Sequence, residues 1–312
     1  NPLDYKSEKR LLFQFAVPSI IAMLVGSLYN IVDQFFIGHS VGELGNAATN
    51  ISFPLSISCV AIALLFGIGG ASAFNISMGA GEKKKAVYYL GNSAIMLFSC
   101  GVVLCVITLM FLEPLLRFFG SPNNVLDYAK TYTGIIAFGF PFLILTTGGG
   151  HLIRADGRPN VSMVCNLTGA ILNTFLDALF VFGLNMGMRG AALATIIGQV
   201  LSAIMVIWCL SHCKTVSVGK EHLRVRKNII SRIISLGTAP FSNQLAMMVV
   251  QIVMNKSLKY YGSISVYGEA VPIACAGIIT KVNQVFMSFV IGISQGLQPI
   301  TSFNYGAKKY KR

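Results

Sequence analysis

Eight stretches of this chain contain no Asp, Glu, Lys or Arg: residues 11–32, 44–81, 86–112, 131–153, 159–176, 190–213, 233–255 and 282–307. About 20 apolar residues are enough to carry a helix across the hydrocarbon core of a bilayer. The remaining composition agrees. Soluble domains carry about 25% charged residues, whereas this chain carries 11%, with 54% hydrophobic residues and a mean hydropathy of +0.69. Eight long runs in succession do not fit buried helices of a soluble protein. A membrane β-barrel would alternate over segments of ~10 residues, and no such alternation occurs. The predicted fold class is therefore all-α and polytopic. The fifth span should continue past Asp177 to about Gly183, and the eighth should begin before Lys281. Asn1 to Arg10 is polar, and the run after it is too long for the core of a cleavable signal peptide.

The net charge of +13 does not point to nucleic acid once its distribution is considered. With the N-terminus inside and the spans alternating, the inner segments are Lys6 to Arg10, Lys83 to Lys85, Arg154 to Arg158, Lys214 to Arg232 and Lys308 to Arg312. They hold 18 of the 24 Lys and Arg residues. The outer segments hold 5, namely Arg117, Lys130, Arg189, Lys256 and Lys259, and Lys281 falls inside a span. Basic residues accumulate on the cytoplasmic side of membrane proteins. The charge thus sets topology, with a cytoplasmic N-terminus and the lipid bilayer as the surrounding partner. The seven cysteines are scattered singly without a CxxC pair, and the four histidines lack ligand spacing. No cofactor is implied. No set of nucleophile, base or metal ligands is visible, so the chain does not read as an enzyme.

The chain also repeats itself. Arg10-Leu11-Leu12 leads to Pro18, and Arg232-Ile233-Ile234 leads to Pro240, each proline eight residues after its arginine. Asn75-Ile76-Ser77-Met78-Gly79-Ala80 matches Ser302-Phe303-Asn304-Tyr305-Gly306-Ala307. The offset is 222 at the prolines and 227 at the Gly-Ala pair. Six spans separate the copies, so both enter from the same side, as in transporters built from two like halves. The expected division is a six-helix N-terminal lobe over 1–213, a cytoplasmic linker over 214–230, and the first two helices of a second lobe over 231–312. A six-span unit would continue for about four more helices, so a truncated twelve-helix protein is expected. Gly67, Gly69 and Gly70, and Gly148 to Gly150, read as sites of close helix approach, with a hinge as the alternative.

Two acids, Asp33 and Asp177, lie within the spans. An ionised carboxylate at the centre of a bilayer costs at least ~3 kcal/mol on insertion scales, so such residues face a cavity or each other. Asn173 and Asp177 are one turn apart on one helix face, and Thr195 in the sixth span could meet them. Asn30 and Asp33 likewise share a face. Burial and a nearby carboxylate both raise a carboxyl group's affinity for protons in general, and two interacting acids titrate as a coupled pair. Such a pair suits exchange of a proton against another cation. A protonated acid joining two helices by a hydrogen bond would need the same surroundings, and the sequence leaves that reading open.

These residues, with their order and spacing, resemble the multidrug and toxic compound extrusion family of cation-coupled antiporters, bacterial type. The resemblance rests on Pro18-Ser19, Asp33-Gln34-Phe35-Phe36-Ile37-Gly38, Ser77-Met78-Gly79-Ala80-Gly81, Arg154-Ala155-Asp156-Gly157-Arg158-Pro159, Asn173 through Asp177, and Gly187 through Thr195. It implies a two-lobed helical antiporter of the plasma membrane that exports small cationic organic compounds against H⁺ or Na⁺. It implies a cation-coupling cluster of Asp33, Asn173, Asp177, Thr195 and Tyr132, with Na⁺ at Asp33 and Asp177 as one candidate occupant, and a hinge at Pro18. Gly148-Gly149-Gly150 stands where some members offer an asparagine. Gln244 and Gln251 stand in the span where some sodium-coupled members carry a glutamate. The ion is therefore left between H⁺ and Na⁺. Asn30, Lys281, Asn283 and Gln284 are candidates for a substrate cavity, with snorkelling the alternative for Lys281; Tyr29, Phe35, Phe36, Met247 and Met248 read as its walls or, more commonly for such residues, as lipid-facing or core positions. The protein is expected to act as a monomer. A flippase for a lipid-linked saccharide of the same superfamily is the rival reading, although two acids against one lysine within the spans favour cationic substrates.

Overall fold

The computed structural model describes residues 7–121, 123–266 and 270–311. Among them every regular element is helical. The charge-free runs become long helices because only an internally hydrogen-bonded backbone is tolerated in hydrocarbon. They are α1 (Glu8–Val41), α2 (Glu43–Gly79), α3 (Lys83–Met110), a short α4 (Leu112–Phe118), α5 (Asn123–Ile136), α6 (Phe140–Ala155), α7 (Pro159–Asp177), α8 (Gly187–Ser211), α9 (Lys227–Ile264) and α10 (Ala270–Gly306). Seven spans among the described residues are long and apolar enough to cross a bilayer, with α5 and α6 counting as one, Val125–Ala155. The eighth charge-free run lies in α10, a further helix of 37 residues. The protein is a multi-pass membrane protein.

Several joints follow from local chemistry. A 3₁₀ turn at Ala137–Gly139 separates α5 from α6, where Pro141 removes a backbone donor. Pro18, Pro54, Pro240 and Pro299 are instead carried inside continuous helices. Beside Pro18, the Ser19 hydroxyl donates to Phe15 O at 2.8 Å. The fifth span continues beyond α7 as a π-helical turn, Ala178–Gly183, so it reaches Gly183 as the sequence suggests.

Helices α9 and α10 pack mainly against α2 and α1 respectively, and only lightly against each other. At the basic ends of α2 and α10 the packing is reciprocal. A methyl group on Gly79 would collide with the Phe303 carbonyl, and one on Gly306 with the Ile76 carbonyl. Both pairs are related by the same offset of 227 residues that relates the repeated motifs. Only a residue without a side chain lets the two backbones meet this closely. Leu11, Phe15, Ile300 and Phe303 form a buried apolar cluster near this end, with Met78 against it.

The segment between α8 and α9 is strapped down at both ends. The Asp156 carboxylate accepts from Lys214 N at 2.9 Å and Thr215 N at 3.0 Å, and pairs with Arg158 at 2.7 Å. At the far end Asn92, fully buried in α3, donates to His222 O and Arg224 O and accepts from Arg226 N at 2.9 Å. Asn92→Ala would leave these three backbone groups without their partner at a buried site. A buried unsatisfied group costs about 1–3 kcal/mol, so a lower thermal unfolding midpoint in detergent is expected. An unchanged midpoint would show that the strap is not held by Asn92.

Candidate functional site

The sequence brings α7 and α8 together through small residues. Gly169 and Gly198 face each other so closely that a methyl on either would meet the other's carbonyl oxygen at 2.8 and 2.7 Å. One turn nearer the basic side, Ser202 Oγ donates to Cys165 O at 2.9 Å. One turn in the other direction, the same register sets Asn173 against Thr195. With its amide nitrogen 3.1 Å from Asp177 Oδ2, Asn173 donates to the carboxylate, and its oxygen accepts from Thr195 N at 3.1 Å. The reverse orientation, with nitrogen 3.3 Å from Thr195 Oγ1, would aim the amide oxygen at the carboxylate oxygen. The first orientation satisfies both neighbours.

Helix α1 completes the cluster. Asp33 is 8% exposed and Asp177 is fully buried, and their side chains are within hydrogen-bonding reach of each other. Tyr29 and Tyr132 lie near enough to both acids to interact with them electrostatically. Next to Tyr132, Thr133 and Ser52 share a hydroxyl hydrogen bond of 2.6 Å that ties α5 to α2. One oxygen of each acid, Asp33 Oδ1 and Asp177 Oδ1, is buried without a hydrogen-bond partner. Two carboxyl groups in contact cannot both remain ionised without a cation or a proton between them. The helix unwinds into its π turn directly after Asp177, with Leu184 N bonded to Leu179 O at 2.9 Å. Such turns frequently mark functional positions.

The structure thus brings Asp33, Asn173, Asp177, Thr195 and Tyr132 into one cluster. Pro18 lies elsewhere on α1, buried among residues that pack on α10: a methyl on Gly292 or Gly296 would meet Ile20 or Ala16 backbone at 2.6 Å. Asn30 does not join Asp33. It is exposed, and its amide donates to Gly26 O on its own helix at 2.8 Å. A separation of three residues does not bring both side chains to the same neighbour here. Asn283 and Gln284 are exposed on α10. The Lys281 side chain lies outside the described residues. Phe35 stacks on His39, Phe36 packs on Phe182, and Met248 Sδ accepts from Ser58 Oγ at 3.6 Å. Sequence reasoning missed a buried cation: Arg154 is 4% exposed within α6 and lies 3.0 Å from His151 Nδ1. Its place beside Asp156 and Arg158 made it read as a loop residue.

Among the described residues no group of three His, Cys, Asp or Glu side chains could hold a metal ion. The two carboxyl groups are hard oxygen donors, a chemistry that suits Na⁺ as well as a proton.

Helices packed in this way define a polytopic membrane protein with a buried acid pair at helix contacts. The MatE family model matches residues 18–179, and the chain belongs to that family. It is 27% identical over 301 residues to the multidrug export protein MepA of Staphylococcus haemolyticus, and 26% identical to that of Staphylococcus aureus. Each match covers 96% of this chain and 65% of the relative, so the chain spans about 65% of the length of these relatives. A solved outward-facing multidrug resistance MATE transporter of the MOP superfamily superposes with a TM-score of 0.90 at 23% identity. That superposition covers 99% of this chain and 68% of the other, and it carries the fold. The relatives are named as exporters and transporters, not as enzymes.

Proposed function

We propose that this chain is part of a secondary active multidrug exporter that antiports cationic amphipathic compounds against H⁺ or Na⁺ by alternating access. The observation that carries the reading is the contact between Asp33 on α1 and Asp177 on α7, in stretches (11–41 and 159–183) that otherwise contain no charged residue. A family whose relatives are named multidrug export proteins supports it.

With one proton or one Na⁺ between them, the two carboxyl groups attract and hold α1 against α7. Loss of that cation leaves two like charges. At ~4 Å and an effective dielectric of ~20 they repel by on the order of 4 kcal/mol. Reversing a two-state equilibrium from 1:99 to 99:1 needs about 5.5 kcal/mol, so the repulsion is of the right size to bias the bundle strongly. Asn173 holds Asp177 in place, Thr195 holds Asn173, and the two tyrosines limit access of water. Bending of α1 near Pro18 would carry the change to the α1–α10 contact. On this reading residues 1–213 and 231–312 belong to two lobes joined by 214–230. The N-terminus is cytoplasmic, the location is the bacterial plasma membrane, and the protein works as a monomer.

The test is efflux of a lipophilic cation such as ethidium from proteoliposomes, with proton and sodium gradients imposed separately. Efflux driven by one gradient and absent under the other identifies the ion. Efflux independent of both gradients would sink the antiport reading. Counterflow of a lipid-linked saccharide without transport of ethidium would establish the flippase instead.

A further inference from the structure

The α3 and α9 helices begin side by side on the basic side of the molecule, at Lys83 and Lys227. Between their first turns lies a pocket of about 570 Å³, lined by Lys84, Lys85, Arg226, Lys227, Tyr88 and Ile229 among others. No acidic residue lines it. The four cationic residues are exposed, and Ile229 is buried at its base. Among the described residues the one carboxylate paired with them is Glu82, 3.2 Å from Lys85 and outside the lining.

The pocket is built rather than accidental. The Arg226 guanidinium lies 3.8 Å from the centre of the Tyr88 ring, a cation–π contact that fixes its position. Its backbone nitrogen is held by buried Asn92, and His222 packs against Tyr88 at 4.9 Å between ring centres. Four exposed cations line the pocket with one carboxylate at its margin, so an anion placed there would be attracted by all four. Both helices that frame the pocket begin crossing the membrane at this level, so it opens where lipid headgroups lie. Basic pockets between membrane helices on the cytoplasmic side suit anionic headgroups.

We propose that this pocket binds the headgroup phosphate of an anionic phospholipid. The phosphate takes the place between Lys84 and Lys85 on α3 and Arg226 and Lys227 at the start of α9, with the acyl chains running down past Ile229. A bound lipid would clamp the end of the strap to the first group of helices. This binding does not depend on transport.

The full chain, purified in neutral detergent, would be titrated with phosphatidylglycerol or phosphatidylcholine, and bound lipid counted by native mass spectrometry. The expected result is retention of the tightest phosphatidylglycerol molecule and no comparable retention of phosphatidylcholine. A Lys84→Gln/Lys227→Gln double variant should hold that molecule roughly thirtyfold more weakly, and inorganic phosphate should not displace it. Equal retention of both lipids, undiminished binding by the double variant, or displacement by inorganic phosphate would each overturn the proposal, the last assigning the pocket to free phosphate. A Lys84→Gln/Lys85→Gln variant reads the same loss from α3 alone, so a folding failure in one variant leaves the other decisive.

Discussion

Asp177→Asn is expected to abolish gradient-driven export while leaving a folded protein. The substitution preserves shape and removes the charge. On the proposed mechanism an acid pair is the device that exchanges a cation for repulsion. A pair with one neutral amide can no longer change its charge product. Loss of an interaction on the order of 4 kcal/mol corresponds to several hundredfold, so transport should fall by at least ~100-fold in proteoliposomes under an imposed pH gradient. Asp33→Asn should do the same, because neither acid works alone. Stability should hold or rise, since an amide is easier to bury than a carboxylate. Full activity in both variants would eliminate the acid pair as the coupling element. A large loss accompanied by unfolding in detergent would instead mark the pair as interhelical glue.

Gly79→Val and Gly306→Val are each expected to part the basic ends of α2 and α10. A side chain at Gly79 must push away the Phe303 carbonyl, and one at Gly306 must push away the Ile76 carbonyl. Carbonyl groups in helices cannot yield as flexible side chains do, so the helix ends must separate. Each variant should lengthen the distance between spin labels at Ala80→Cys and Lys308→Cys by several Å. On the proposed mechanism transport should drop at least tenfold, because an end that cannot close would short-circuit alternating access. Unchanged label distances would show that the ends part and meet elsewhere.

The spans were legible because charge is so costly in hydrocarbon that its absence draws the helix boundaries directly. The acids were legible for the same reason: Asp33 and Asp177 break runs that are otherwise free of charge. Their mutual contact was legible only as one alternative, the other being a shared cavity. Which face of α7 meets α8 is decided by Gly169 and Gly198, and nothing in a run of apolar residues announces which glycine will find another. Asn30 illustrates the limit. It is spaced to share a face with Asp33, yet its amide turns back to Gly26 on its own helix. The strap was legible as a basic linker and not as a docked segment, because its anchor Asn92 lies about 130 residues earlier in the middle of an apolar run.

The seating of α9 on α2 and of α10 on α1 has a consequence for how the molecule holds together. Each late helix is interleaved with an early one, and the late pair touch each other little. Melting of the carboxy-terminal helices would strip the companions of α1 and α2 at the same moment. Loss of those two late helices should therefore weaken α1 and α2 as well, while the main apolar cluster over residues 37–210 keeps its own contacts.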